Sequence, residues 1–202
     1  MEDASTVLAA AFSDNPWIEL TVAADCRAER LRNLYQLILG ELVVPHGRLW
    51  VARGPDGHML GAAGWLTHET DPPPALLAGV EEQVRMLRGS LAANAALAEQ
   101  AVAAVAAQSL RDVPHWFLGV VGVEPAARGL GVGSALLAAG LEAVDAHRAV
   151  ARLETSLERN VQLYQRFGFT VSAGLTLPGD VPCWLMQREP QRRQARRVTS
   201  PA

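Results

Sequence analysis

Apolar residues recur at helical spacing twice near the start of the chain. One run spans Val7 to Phe12; the other, within 27–42, places Leu31, Leu34, Tyr35, Ile38 and Leu42 on one face, so two early helices are predicted. The period then shortens. RLWVARGPDGHMLGAAGWLTH holds two β-rich runs around GPDG, where Pro suits the second turn position and Gly the last, and a hairpin is predicted. DPPPALLAGVEEQVRMLRGSLAANAALAEQAVAAVAAQSL reads as one or two helices, broken near Arg88-Gly89-Ser90. HWFLGVVGVEP is strongly apolar and predicts a central strand that turns into the following helix. VARLETSL predicts another strand, NVQLYQRFG a short helix ending at Gly168, and FTVSAGLTL and VPCWLMQRE two last strands around PGD. Strands before, between and after helices, with hairpins at both ends, predict a mixed α/β sheet rather than an all-parallel one.

Composition narrows the class. With 202 residues, half of them apolar, the chain suits one compact domain with a real core. No apolar stretch approaches the ~20 residues that cross a bilayer. The acidic opening MEDASTVLAAAFSDNP lacks the basic start of a secretory signal, so a cytoplasmic protein off the membrane is expected. Cys26 and Cys183 lie far apart and without metal-ligand spacing, which predicts reduced thiols and no metal. There is no lysine, so lysine chemistry drops out.

Charge is unevenly placed. The net is −3, but REPQRRQARRVTSPA holds five of the 18 arginines and one of the 21 acids, leaving 13 basic and 20 acidic side chains, a net of −7, in the body. That field opposes nucleic-acid binding and mildly favours a cationic ligand. The tail has almost nothing apolar to bury, and 190–202 is expected to be disordered.

The chemistry concentrates at Arg128-Gly129-Leu130-Gly131-Val132-Gly133-Ser134, where a strand gives way to a helix. Glycines let the backbone turn tightly and let a ligand approach the amides. The helix start offers unpaired N–H groups to a phosphate or pyrophosphate, and Arg128 adds a cation with a fork of donors. A dinucleotide fingerprint fails because the sixth position from Gly129 is Ser134, and an ATP phosphate loop fails because it needs lysine.

Arg-x-x-Gly-x-Gly after a V-G-V-E-P strand end resembles the acetyl-CoA pyrophosphate loop of the GNAT acetyltransferase superfamily. LET on the next strand, Asn160, and Tyr164 followed by FGF stand in the order that superfamily uses. LAAAFSDNP, WFLGVVGVEP, RLETSLERN and YQRFGFTV, with the long helical insertion before His115-Trp116, further resemble the puromycin N-acetyltransferase group. The resemblance implies a mostly antiparallel central sheet flanked by helices, residues 1–189 forming a single acetyltransferase domain, and acetyl-CoA as co-substrate without a metal. It implies acetyl transfer to the primary amine of a small molecule, by direct attack on the thioester. An amino acid, a polyamine, an aminoglycoside or a protein N-terminus are alternative acceptors. A non-catalytic acyl-CoA-binding module is the alternative of another class. A monomer and a homodimer are both compatible with the sequence.

Residue roles follow from the same resemblance. Val121, Gly122 and Val123 on the central strand pair with the pantetheine arm, and Gly119 and Gly122 either ease that approach or ease packing by a neighbour. Tyr164 is the expected general acid, since a phenol with pKa ~10 keeps its proton at neutral pH and can pass it to a thiolate. Asn160 turns its amide to the cofactor arm or caps the helix it begins. Glu154, amid apolar strand neighbours, is the candidate base, directly or through water; pairing with Arg152 on the same strand face is the alternative. His115, Glu41, Asp14 and Asp25 are lesser polar candidates. The early helices and the insertion wall the acceptor side in this superfamily, which brings Phe12, Trp17, Tyr35 and Trp65 forward as substrate contacts, with Trp50 and Trp184 behind them.

Overall fold

The computed structural model describes residues 2–109 and 113–191. Three helices open the chain: α1 (Glu2–Ala11), α2 (Pro16–Thr21) and α3 (Arg27–Ile38), the last running through a π turn (Leu39–Val43) into the one-turn α4 (Val44–His46). Helix α2 is too short for a periodic signal, yet its start is well specified. Asn15 Oδ1 accepts from Trp17 N at 2.9 Å, and Pro16 takes the first position, where no N–H is needed.

β1 (Gly47–Arg53) and β2 (Met59–Thr67) form the predicted hairpin. Gly57 N donates to Gly54 O at 3.0 Å across the GPDG turn, and Gly57 takes the left-handed conformation at φ +82°. α5 (Pro74–Arg88), a short 3-10 turn (Gly89–Leu91) and α6 (Ala92–Ser109) make up the insertion, bent where predicted. Gly89 sits at φ +63° in that bend, and Ala23 N donates to Arg88 O at 3.0 Å, anchoring it to the loop before α3. Contrary to the sequence reading, Pro74–Gln108 has the length and composition of a membrane-crossing helix. Here its two halves pack against α3 and β5, with the charged Arg88 buried at the bend.

The remaining elements are β3 (His115–Val123), α7 (Val132–Ala146), β4 (Val150–Thr155), α8 (Glu158–Arg166), β5 (Thr170–Leu177) and β6 (Val181–Arg188). The sheet order is β1-β2-β3-β4-β6-β5, and every pair is antiparallel except β3 with β4. That parallel pair is short. It runs from His115↔Val150 to Leu118↔Leu153, four register pairs, although both strands continue beyond. Past Leu118 and Leu153 the strands part, and a wedge opens in mid-sheet.

α7 and α8 cover one face of the sheet, with Trp65, Trp116, Leu137, Leu141 and Phe169 in the core between; α1 and α3 cover the other, with Leu8, Leu31, Leu39, Ala62 and Val120 between. Helix α6 closes the far end of β5 and β6 through Ala98, Val102, Leu177 and Leu185. Arg188, nearly buried, joins β6 to α7 by two bonds to Asp145 at 2.7 and 2.9 Å. Burial opposes ionisation of Asp145, but the guanidinium and Gln191 N–H outweigh it and hold the carboxyl below its ordinary range. The Arg-rich tail expected at 190–202 lies, from 192 onward, outside the described residues.

Candidate active site

The wedge leads into a cleft of about 460 Å³ between the sheet, the three early helices and α6. Its floor is β3 from Phe117 to Val121, with Glu154, Thr155 and Ser156 facing across from the end of β4. Phe12, Trp17 and Tyr35 line it from the early helices, Arg88 and Glu99 from α5 and α6, and Asn160, Tyr164 and Cys183 from α8 and β6. Residues from eight stretches of sequence thus line one cleft where β3 and β4 separate.

At the outer end of β3, the Arg128–Ser134 stretch has the form the sequence suggested. Gly129 and Gly131 are both left-handed, at φ +82° and +81°, and open space lies where either side chain would project. Gly131 is the N-cap of α7 and contributes no side-chain bond, so the first N–H groups of that helix have no intrahelical partner. Alternating backbone handedness ahead of a helix start makes a concave anion seat. Leu130, Gly131 and Ser134 are exposed, Val132 and Gly133 half-buried. Arg128 is exposed and donates Nη2 to Ala11 O at 3.1 Å, so it ties the loop to the end of α1 as well as lending charge.

The two glycines of β3 divide their roles. A side chain on Gly119 would meet nothing closer than 3.8 Å, whereas one on Gly122 would come within 2.8 Å of Leu8 and 2.9 Å of Ala11. The close docking of α1 therefore requires glycine at 122. Val121 lines the cleft, while Gly122 and Val123 lie beyond it toward the Arg128 loop.

Tyr164 is 5% exposed, stands edge-on to Phe169 with ring centroids 5.8 Å apart, and reaches the cleft from α8. Burial pushes its phenol further above the ordinary value, so it holds its proton throughout the neutral range. Asn160 lies one turn earlier on the same helix face. The helix N-cap is Leu157, and Asn160 is already inside the helix, so the capping alternative falls away; its Nδ2 donates to Thr155 Oγ1 at 3.3 Å.

Glu154 is the exposed position in an otherwise buried strand, and the space it faces is the cleft. Surrounding protein desolvates the carboxyl, nearby Glu99 adds repulsion, and together they push it up to about 7. Arg152, the alternative partner, is buried within the sheet. Cys183, also on the cleft, is pushed up to about 12 by burial and then by Glu154, which keeps it an inert thiol. Neither cysteine is in a disulfide, and no cluster of metal-ligating side chains occurs among the described residues.

Of the aromatic residues brought forward, Phe12, Trp17 and Tyr35 line the cleft, with Phe12 and Tyr35 at 5.6 Å between centroids. Trp65 does not. It is 0% exposed and lies under α7, where Gly140 gives its indole room that any side chain would remove. Trp50 packs on Trp116 beneath the same helix, and Trp184 packs against the core cluster on that side. His115 sits at the other end of β3, its Nδ1 2.9 Å from Val113 O. Asp25 pairs with Arg30, and neither Asp14 nor Glu41 lines the cleft.

Sequence reasoning missed Phe117, Arg88 and Glu99. Phe117 sat unnoticed inside the central strand. The bend at Gly89 was legible, but not that it turns Arg88 inward, because that follows from its tie to Ala23.

A family model described as acetyltransferase (GNAT) family matches residues 21–169. A crystal structure of histone acetyltransferase HPA2 and related acetyltransferase from Corynebacterium glutamicum is 28% identical, covers 94% of this chain and 90% of its own, and superposes with a TM-score of 0.66. Arylalkylamine N-acetyltransferase 2 from Aedes aegypti has the same fold at 14% identity, with 94% of each chain covered and a TM-score of 0.64. The chain belongs to the GNAT acetyltransferase family. Its fold and its wedge between two parting parallel strands are those of an N-acetyltransferase that takes its acyl group from acetyl-CoA.

Proposed function

We propose that the protein, through residues 1–189 acting as one domain, transfers an acetyl group from acetyl-CoA to the primary amine of an aromatic small molecule. A puromycin-like aminonucleoside is the acceptor we favour, on the sequence resemblance and on the aromatic wall of Phe12, Trp17, Tyr35 and Phe117. The observation that carries the reading is the meeting of Glu154 and Tyr164 on one cleft where β3 and β4 part.

The residues present fit the co-substrate. Gly129 and Gly131 leave the amides at the start of α7, from Val132 to Ser134, open to a diphosphate, with Arg128 beside them. The free edge of β3 suits the amide-bearing pantetheine arm, as an added strand would pair there. Asn160 stands across the wedge to hold the arm from the α8 side. When bound, acetyl-CoA supplies the acyl group as a thioester.

Glu154 takes the proton that the ammonium must lose before its nitrogen can attack the thioester carbon. At about 7 the carboxyl is matched to neutral pH: basic enough to accept, ionised enough to be ready. The nitrogen–carbon bond forms, the nitrogen releases its second proton to water, the carbon–sulfur bond breaks, and Tyr164 gives its proton to the departing sulfur. Main-chain N–H groups of β3 bordering the wedge are the donors available to the developing oxyanion.

The test is thiol release from acetyl-CoA across a panel of amines. Release with puromycin supports the acceptor class, and release only with other amines moves the assignment to those. Tight acetyl-CoA binding without thiol release for any amine would overturn catalysis in favour of a binding module.

A further inference from the structure

Most polar side chains on the cleft already have a partner or a task. Asn15 bonds Ser156, Asn160 bonds Thr155, and Arg88 bonds Glu99, while Glu154 and Tyr164 are given the proton transfers of the proposed reaction. The hydroxyl of Tyr35 has neither. Tyr35 stands on α3, 7% exposed, with its ring on the cleft beside Phe12. No described residue hydrogen-bonds its hydroxyl, and that oxygen is not among the fully enclosed polar atoms, so it keeps an open side. The open space its ring borders is the cleft. A phenol so deeply set and still without a partner is the kind of group a ligand completes.

The surroundings say which partner. Phe12, Ile18, Leu34 and Ile38 line the cleft from the same early helices and carry no polar side-chain atom. Burial alone raises the Tyr35 phenol, with no contribution from Glu99 or Glu154, although Glu99 acts on Glu154 and Glu154 on Cys183. The hydroxyl therefore stands apart from the carboxylate that receives the amine. It also keeps its proton at any working pH and is always a donor. A charged group would be desolvated against that apolar wall without a counter-charge, since Arg88 is already paired with Glu99. We propose that Tyr35 is a specificity-determining residue whose hydroxyl donates to one neutral oxygen at the far end of the acceptor's aromatic part, away from its amine. The inference rests on the reading that the amine sits at Glu154, and it adds the polar atom by which the other end is held.

Tyr35 selects among amines and moves no proton in their acetylation. An acceptor of the same shape with a methylene in place of the oxygen seals the hydroxyl from water and gives it no partner, which is the circumstance in which a polar site discriminates.

The test is calorimetric binding to the full-length protein in the presence of CoA, with 4-methoxyphenethylamine and 4-ethylphenethylamine as probes. They share a shape and differ by an ether oxygen against a methylene. The expected result is the methoxy compound bound at least about threefold more tightly. In Tyr35→Phe, which keeps the ring, that preference is lost or reversed, because the ethyl compound is the more apolar. The Tm of the variant should not fall, since the free protein gives up no hydrogen bond; a fall of several degrees would make the hydroxyl a structural support and overturn the assignment. Equal affinities or an ethyl preference in the unaltered protein, absence of binding by both probes, or a methoxy preference that survives in Tyr35→Phe overturns it as well. Thiol release from acetyl-CoA is followed with the same amines. Preference without release overturns catalysis and leaves Tyr35 in its role; release without preference does the reverse.

Discussion

Ser156 Oγ donates to Asn15 Oδ1 at 3.2 Å, across 141 positions of sequence. The same oxygen accepts from Trp17 N at 2.9 Å, so one amide caps α2 and joins the acceptor wall to the turn after β4. The aromatic wall is therefore indexed to the strand that carries Glu154.

Asn15→Ala removes both bonds. Loss of an N-cap side chain costs about 1 kcal/mol, and a fall of a few degrees in Tm is expected. Because Trp17 and Ser156 are no longer held to each other, KM for the amine should rise several-fold while KM for acetyl-CoA holds. Equal changes in both constants would show the bond to be structural only.

Tyr164→Phe keeps the ring against Phe169 and removes only the hydroxyl. General-acid catalysis is worth about 10²–10⁴ in rate, so kcat should fall at least a hundredfold with acetyl-CoA affinity little altered. Direct measurement of acetyl-CoA binding beside steady-state kinetics separates the two. Unchanged kcat would remove Tyr164 from proton transfer.

The Glu154 carboxyl gives a pH signature of known sign. As a base it works ionised, so kcat/KM should climb with pH and level off above about 7. Its pKa is raised from 4.5 to about 7, so between those values the folded chain binds a proton the unfolded chain has lost. The stability this contributes is complete below 4.5 and is lost as pH rises through about 7. Melting curves of the unaltered protein should thus decline relative to Glu154→Gln across that window. Glu99→Gln should move the rate profile to lower pH by removing the neighbouring charge.

Gly131→Val forces a branched side chain into φ +81°. Left-handed backbone costs a residue with a Cβ about 1–2 kcal/mol, and the new methyls stand over the open amides at the start of α7. Acetyl-CoA affinity should fall at least tenfold, measured by calorimetry, with amine affinity spared. Retained acetyl-CoA affinity would place the diphosphate elsewhere.

Much of the fold was legible because its signals are local. The GPDG turn, the break at Gly89 and the alternation of strands with helices were all written in residue type and spacing. The Gly129–Gly131 turn was legible for the same reason, since only glycine takes that backbone without strain. What escaped was set by tertiary docking. Trp65 reads like any aromatic residue on a strand, and only the crossing of α7 at Gly140 buries it. Gly122 could be read as easing a ligand's approach or a neighbour's packing, and only the docking of α1 shows that its Cβ position is taken. Glu99 sits in a nearly featureless Ala-rich helix, and its nearness to Glu154 arises because α6 lies against the end of β5 and β6.

Strands with unsatisfied edges tend to recruit one another, which is how soluble proteins come to aggregate. Here the main-chain groups that β3 withholds from β4 lie in the middle of the sheet, shaded by helices on either flank. A second polypeptide, bristling with side chains, is too broad to reach them, whereas a slender chain of amides is not. The molecule thereby keeps a sticky seam without the hazard that usually attends one.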